Sequence, residues 1–209
     1  MRAFAIGLAC LLAGACSNLV YSKDPLFAAD PAFSLEFRPG LWAAPREECS
    51  FDVAKPLAEW PECANGQRFD ARGPVDDADA QVKVPEIVVA GDPIIVQRAD
   101  GPGTSEKGAD TVDLRYSYTA MRVSARDDAG RITGLNTWLV ICGPPAEPHH
   151  IKGLRNKTTA TLHPFPGLRM RGENCLARDA ATVRAAAVAS QAYATLLPLS
   201  AHWVRDDER

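Results

Sequence analysis

The sequence predicts a mainly β domain of the β-rich α+β class: an antiparallel meander of about eight strands, forming a curved sheet or a barrel, with one C-terminal helix. Two long runs of alternating apolar residues, 81–98 and 111–142, are each interrupted by a tight turn, which is typical of β-hairpins. The chain also contains 16 prolines and 15 glycines, a composition that favours short elements and many loops. Because a meandering sheet must close or cover its edges, the barrel and the curved sheet are both open alternatives.

The first strand is predicted over residues 35–43, where Leu35, Phe37 and Leu41 are the inward candidates. Pro39-Gly40 interrupts the alternation, so a bulge or bend is expected there. This strand is the predicted start of the folded domain.

A proline-rich loop follows at residues 49–63, between two cysteines. Pro56 and Pro61 limit any helix to about one turn over residues 57–60. We expect a compact loop that packs Trp60 on the core.

Two hairpins are predicted next. Residues 81–98 turn at Gly91-Asp92, and residues 111–142 turn at 127–130. Gly130 suits the second turn because glycine adopts positive φ at no steric cost.

The C-terminal part is predicted to contain two short strands, at 160–163 and 168–171, then the helix and a last strand at 199–205. The helix spans residues 180–194, a segment rich in alanine, and Asp179 is a suitable N-cap.

One face of this helix is narrow and carries small side chains: Val183, Ala187, Ser190 and Ala194. Such a face suits close packing on a sheet. A partner-binding helix is the alternative.

The first fifteen residues are organised as a secretory signal. Arg2 is followed by an apolar stretch at residues 3–12 and by the small residues Ala13-Gly14-Ala15, directly before Cys16. The stretch is too short to cross a bilayer as a helix, which needs about 20 residues. The arrangement resembles a bacterial lipoprotein signal. The alternative is an ordinary secretory signal cut near Ala15, which would leave Cys16 as a thiol.

The lipoprotein resemblance implies that residues 1–15 are removed and that Cys16 carries a diacylglyceryl thioether and an acylated amino group. More than one acyl chain makes attachment to a lipid bilayer stable. In lipoproteins of this kind an Asp after the cysteine favours the inner membrane. Ser17 stands there instead, so we expect the cell envelope, at the outer membrane, with the domain facing the periplasm.

The same interpretation divides the chain into three parts. After the signal at 1–15, residues 16–34 are predicted to be the lipidated N-terminus and a tether, although Leu26-Phe27 could dock on the domain. Residues 35–209 are predicted to form one disulfide-stapled β-rich domain.

Removal of Cys10 with the signal and acylation of Cys16 would leave an even set of four cysteines: Cys49, Cys63, Cys142 and Cys175. In an oxidising periplasm they can pair in three ways, and the sequence alone does not choose among them. The local pairing, Cys49 with Cys63 and Cys142 with Cys175, is the economical choice. A zinc site is the alternative, but the chain has no Cys-x-x-Cys.

Gly40-Leu41-Trp42 resembles the Gly-x-Trp at the start of lipocalin-like barrels. With a disulfide shortly after it, the tripeptide is also similar to small periplasmic protease-inhibitor barrels. These resemblances imply a small-ligand carrier or an inhibitor as an alternative function, and they assign no ligand-binding or inhibitory residue to this chain.

The formal net charge of the chain is −3, and its basic residues are scattered along the sequence. Nucleic acid is therefore not expected as a partner. An envelope protein or a cell-wall component is the expected partner, in addition to the bilayer that holds Cys16.

The sequence contains no recognised catalytic motif. The four histidines, His149, His150, His163 and His202, form no recognisable constellation. The acidic cluster Asp76, Asp77 and Asp79 is interpreted as a solvated turn, with calcium binding as the alternative. We therefore expect a non-enzymatic binding or structural protein of the envelope, without cofactor or metal, and an unrecognised enzyme remains an alternative.

Overall fold

The computed structural model describes residues 18–75, 86–100, 115–145, 161, 163–196 and 199–207. These residues form one 11-stranded, mostly antiparallel sheet and one C-terminal α-helix, which confirms the predicted fold class. The strands are β1 (Val20–Ser22), β2 (Gly40–Ala43), β3 (Gln67–Asp70), β4 (Gly73–Pro74), β5 (Glu86–Val89), β6 (Ile94–Ala99), β7 (Tyr116–Arg126), β8 (Ile132–Leu139), β9 (Arg169–Arg171), β10 (Asn174–Leu176) and β11 (Leu199–Arg205). The helix α1 spans Ala180–Ser190 and continues as a 3-10 helix over Gln191–Leu196.

The sheet follows the order β5-β6-β7-β8-β11-β2-β3-β4, and all of these neighbours pair antiparallel. A second branch, β1-β10-β9, joins β7 on the edge that also holds β8, and its β1–β10 pairing is parallel. The sheet therefore divides at β7 instead of closing. The barrel alternative, and the barrel that the lipocalin and inhibitor resemblances imply, are wrong.

The N-terminal segment is part of this sheet, so the prediction that residues 16–34 form a tether is wrong from Asn18 onward. β1 lies between β7 and β10, and Val20 is fully buried. Phe27 is buried in the same core, which confirms the alternative that the Leu26-Phe27 pair docks on the domain. A strand of three residues is too short to show a period in the sequence.

Both predicted hairpins are confirmed where the structure describes them. β5 and β6 pair around the turn after Val89, and β7 and β8 pair around the turn at residues 127–130. Gly130 has a φ of 81°. The last strand, β11, has the predicted bounds, but it inserts between β8 and β2 and so breaks the meander.

The helix packs on the sheet through the small face that the sequence indicates. Val183, Ala186, Ala187 and Ser190 are buried. The indole Nε1 of Trp138 in β8 donates to the carbonyl of Ala187 at 2.9 Å. Asp179 caps the helix by accepting a hydrogen bond from the backbone N–H of Thr182 at 2.7 Å. That backbone hydrogen bond lowers the pKa of the Asp179 carboxyl.

β2 is buried on both faces. Trp42 stacks on Phe69 at 4.5 Å between ring centroids, whereas Leu41 packs with Trp60 from the loop at residues 49–63. The predicted irregularity near Gly40 lies in the partner strand, because the β11–β2 register shifts between Trp203 and Arg205. A Cβ at Gly40 would stand 2.4 Å from the carbonyl oxygen of Arg205, so glycine is required for this close approach.

The four remaining cysteines form the two local disulfides. Cys49 bonds Cys63, and Cys142 bonds Cys175, with Cα–Cα distances of 5.6 and 5.8 Å. The zinc alternative is wrong because each of the four sulfur atoms is already bonded to another sulfur.

Several predicted features lie outside the described residues: Cys16, the cluster Asp76, Asp77 and Asp79, the pair His149-His150 and half of the strand at 160–163. Within the described ranges, no helix has both the length and the apolar character that a membrane span requires.

Candidate functional site

The hairpin of β9 and β10 places arginines on the outer face of the sheet branch. Met170, in the middle of β9, packs against the core, and it pairs with the buried Cys175 of β10. Because side chains alternate along a strand, Arg169 and Arg171 on either side of Met170 take the opposite face. Both are exposed.

These arginines border a cleft of about 250 Å³ that we call the basic cleft. It is lined by Ser22, Lys23, Asp24, Leu26, Arg169, Arg171, Leu176, Ala177 and Arg178. Four of these side chains are cationic and one, Asp24, is anionic, so the lining carries a formal charge of +3. The whole chain carries −3, so the fold gathers positive charge here against the overall balance.

No described residue neutralises the three arginines of the basic cleft. The guanidinium groups of Arg169, Arg171 and Arg178 make no hydrogen bond or ion pair within the residues that the structure describes. Several other arginines are held by carboxylates: Arg38, Arg68, Arg72, Arg98, Arg122 and Arg131. The cleft therefore offers planar, fork-shaped donors that suit phosphate or carboxylate oxygens.

Ser22 stands at the buried side of the cleft and is fully engaged. Its hydroxyl donates to the carbonyl of Asp24 at 2.6 Å, and it lies 2.5 Å from the hydroxyl of Tyr118. Since the Ser22 proton is directed at Asp24, Tyr118 is the donor to Ser22. Burial raises the pKa of Tyr118 to about 12. Tyr118 thus keeps its proton at neutral pH and does not act as a base that would activate Ser22.

Gln97 of β6 fixes the segment that follows Ser22. Its side-chain oxygen accepts from the backbone N–H groups of Leu26 and Phe27, at 2.8 and 3.1 Å. Its amide nitrogen donates to the carbonyl of Phe27 at 3.2 Å. Gln97 is almost completely buried, so this network holds one wall of the basic cleft in place.

A second cleft of about 560 Å³ lies near the other end of the sheet. It contains the carboxylates of Asp70, Asp206 and Asp207, but each is already paired. Asp207 accepts from Arg68 at 2.9 Å, and Asp70 is 3.2 Å from Arg72. The backbone N–H of Arg72 donates to Asp70 and lowers the pKa of that carboxyl. Because the charges cancel locally, this cleft offers less to a charged ligand than the basic cleft does.

The two histidines that the structure describes lie in different elements, and both are exposed. His163 is in the loop before β9, and His202 is in β11. Within the described residues, no group of three His, Cys, Asp or Glu side chains is arranged to hold a metal ion.

Sequence reasoning did not find the basic cleft, although three of its cations, Arg169, Arg171 and Arg178, lie within ten residues of one another. The local signal is Arg169-Met170-Arg171, in which two cations flank an apolar residue with the period of a strand. The other wall, with Lys23, joins these arginines only through the parallel pairing of β1 with β10.

Comparison of the chain with protein-family models, with curated proteins and with solved structures finds no match. The functional interpretation therefore depends on the geometry and chemistry of the chain itself.

Proposed function

We propose that this chain is a lipid-anchored envelope protein, attached through Cys16, whose domain binds a small anionic ligand in the basic cleft without catalysing a reaction. The observation that carries the proposal is the set of three arginines around the cleft, Arg169, Arg171 and Arg178, none of which has a hydrogen-bond or ion-pair partner among the described residues. A hydrogen bond to a charged group contributes about 1.5 to 3 kcal/mol.

The size of the cleft supports a small ligand. Pockets for drug-sized molecules have volumes of roughly 300 to 1,000 Å³, whereas the basic cleft has about 250 Å³. A phosphate or carboxylate group with a short stem suits this space better than an apolar ligand of lipocalin type does.

The hydrogen bonds at the buried side of the cleft support binding over catalysis. Ser22 supplies the hydroxyl in the lining of the cleft, and its hydrogen-bond partners are a carbonyl oxygen and the protonated Tyr118. Neither partner removes a proton from Ser22 at neutral pH.

The experiment is a titration of the full chain, in detergent, with glycerol phosphate, using glycerol as the uncharged control. We expect binding by glycerol phosphate alone, and a loss of at least about tenfold in affinity in the R169Q/R171Q variant, since tenfold corresponds to about 1.4 kcal/mol. Arg126→Gln is the matched control, because Arg126 is an exposed arginine at the far end of β7.

Equal affinity of the double variant and the unaltered chain would overturn the assignment of the cleft. The anchor is tested separately by the intact mass of the full chain made in a bacterial envelope. An unmodified Cys16 would overturn that part of the proposal.

A further inference from the structure

We propose that the basic cleft docks on the anionic phospholipid headgroups of the membrane that holds Cys16, so that the domain lies directly on that membrane. This inference rests on the proposed function, because it requires an acylated Cys16 and an anion-binding cleft. It adds the identity of the ligand, a lipid headgroup phosphate, and the orientation of the domain.

Hydrogen bonds hold Asn18 in the fold, and this residue is only 2% exposed. Its backbone N–H donates to the carbonyl of Glu173 at 2.7 Å, and its side-chain amide donates to the carbonyl of Gly143 at 3.0 Å. Its own carbonyl accepts from the backbone N–H of Cys142 at 2.8 Å. The chain is thus part of the fold from Asn18 onward.

Asn18 lies close to the proposed anchor, Cys16, along the chain. Cys16 and Asn18 are two peptide units apart, and consecutive Cα atoms are 3.8 Å apart, so their Cα atoms are separated by at most about 8 Å. Acylation of Cys16 would therefore hold Asn18, where the described fold begins, close to the headgroups.

The β9–β10 hairpin, which holds Asn18, also carries Arg169 and Arg171. Glu173 accepts the Asn18 N–H, and the side chain of Asn174 accepts the N–H of Leu19 at 2.9 Å. Asn174 pairs with Arg171 across the β9–β10 hairpin. The attachment point and the positive rim of the cleft therefore belong to one small structural unit.

The charge of the arginines acts on a membrane only at short range. The potential of an anionic membrane surface decays over a Debye length of about 8 Å at physiological salt, so cations must lie close to the surface to sense it. Arg171 lies beside the short connection to Cys16, because Asn174, its partner across the hairpin, accepts the backbone N–H of Leu19. Arg169 pairs with Leu176, two residues further along β10. Among the described residues, the guanidinium groups of both arginines have no hydrogen-bond or ion-pair partner. A cleft of about 250 Å³ accommodates a headgroup and not an acyl chain.

The experiment uses the acylated full chain in vesicles of phosphatidylcholine, either alone or with phosphatidylglycerol added. Arginines are labelled with phenylglyoxal, and the labelled peptides are quantified by mass spectrometry. We expect labelling of Arg169, Arg171 and Arg178 to fall several-fold when phosphatidylglycerol is present, and to recover at high salt. Labelling of Arg126 is expected to be unchanged. In the R169Q/R171Q variant, Arg178 should lose its dependence on phosphatidylglycerol.

Equal labelling in the two kinds of vesicle would overturn the inference. If glycerol phosphate still protected the arginines of the protein in detergent, the cleft would serve a soluble anion, and the proposed function would survive. If neither glycerol phosphate nor phosphatidylglycerol protected them, the proposed function and the inference would both fall.

Discussion

At the scale of single residues, buried polar side chains hold the N-terminal segment on the sheet. Gln97 satisfies the backbone of Leu26 and Phe27, and Tyr118 donates to Ser22. In the core, a polar group without a partner costs free energy, so these side chains specify where the segment crosses the strands. They also fix Ser22 and Leu26, which line the basic cleft.

Tyr118→Phe tests this network through its pH dependence. At neutral pH we expect a loss of about 1 kcal/mol in the free energy of unfolding, because one hydrogen bond is removed. Burial raises the pKa of the folded Tyr118 from 10.0 to about 12. An unfolded tyrosine releases its proton near pH 10. Stability that depends on protonated Tyr118 is therefore complete below about pH 10 and lost as the pH rises towards 12.

The measurement is urea unfolding of both proteins at neutral pH and at several values between about pH 10 and 12. The unaltered protein should lose stability more steeply than Tyr118→Phe in this window, so that the difference between them narrows. Parallel curves through the window would contradict a buried, hydrogen-bonded Tyr118.

At the scale of elements, the disulfide Cys142–Cys175 links the two segments that flank β1. Leu19 bridges Ile141 on one side, and Val20 pairs with Cys175 in β10 on the other. The disulfide joins these two neighbours of the N-terminal strand. It therefore holds β1 between them in addition to linking distant parts of the chain.

The double variant Cys142→Ala/Cys175→Ala is expected to lose about 4 kcal/mol of stability, from the entropy of the loop that the disulfide closes. The separation of these cysteines in sequence is 33 residues. Urea unfolding measures the loss. Hydrogen exchange should also show faster exchange of the amides of residues 19–22.

Cys49→Ala/Cys63→Ala is the matched control, with a separation of 14 residues and an expected loss of about 3 kcal/mol. Its disulfide packs on β2, away from β1, so exchange at residues 19–22 should be unchanged. If both double variants accelerated exchange there equally, the specific clamping of β1 would be refuted.

At the scale of the whole molecule, the position of β1 changes what the proposed anchor can do. A flexible tether would let the domain reach a distant envelope component. The structure instead places Val20 in the core and the chain in the sheet from Asn18. A lipid on Cys16 would hold the domain at the membrane surface.

Val20→Asp tests whether the segment around Val20 is a strand in the core or a flexible tether. In the structure the substitution buries an unpaired charge, so we expect a loss of about 3 to 5 kcal/mol or failure to fold. Ala29→Asp is the control: it lies in the same predicted tether but is exposed, and we expect a change within about 0.5 kcal/mol. Denaturant unfolding compares them, and similar stabilities of both variants would support a tether.

Local features were predictable. The turn at Asp127–Gly130 and the cap at Asp179 depend on residues within a few positions of one another, and both are confirmed. The N-terminal strand was missed because three residues show no period, and the barrel stayed open beside the curved sheet because nothing local shows that β1 would join β7 beside β8.

The candidate site was unpredictable as a whole for the same reason. Arg169, Arg171 and Arg178 are close in sequence, but Lys23 and the wall that follows β1 join them through a parallel pairing across about 150 residues of sequence. Charge counted along the chain gives −3 and conceals a local excess of the opposite sign.

The sequence by itself determined the β-rich class with one helix and the two hairpins, because these follow from residue type and short-range spacing. The lipid on Cys16 stays a prediction from the sequence alone. Only the tertiary structure decided that the sheet divides and does not close, that β1 belongs to the sheet, and that Ser22, Lys23 and Leu26 meet three arginines in one cleft. Pairing between distant strands depends on the packing of the whole core, which no local pattern contains.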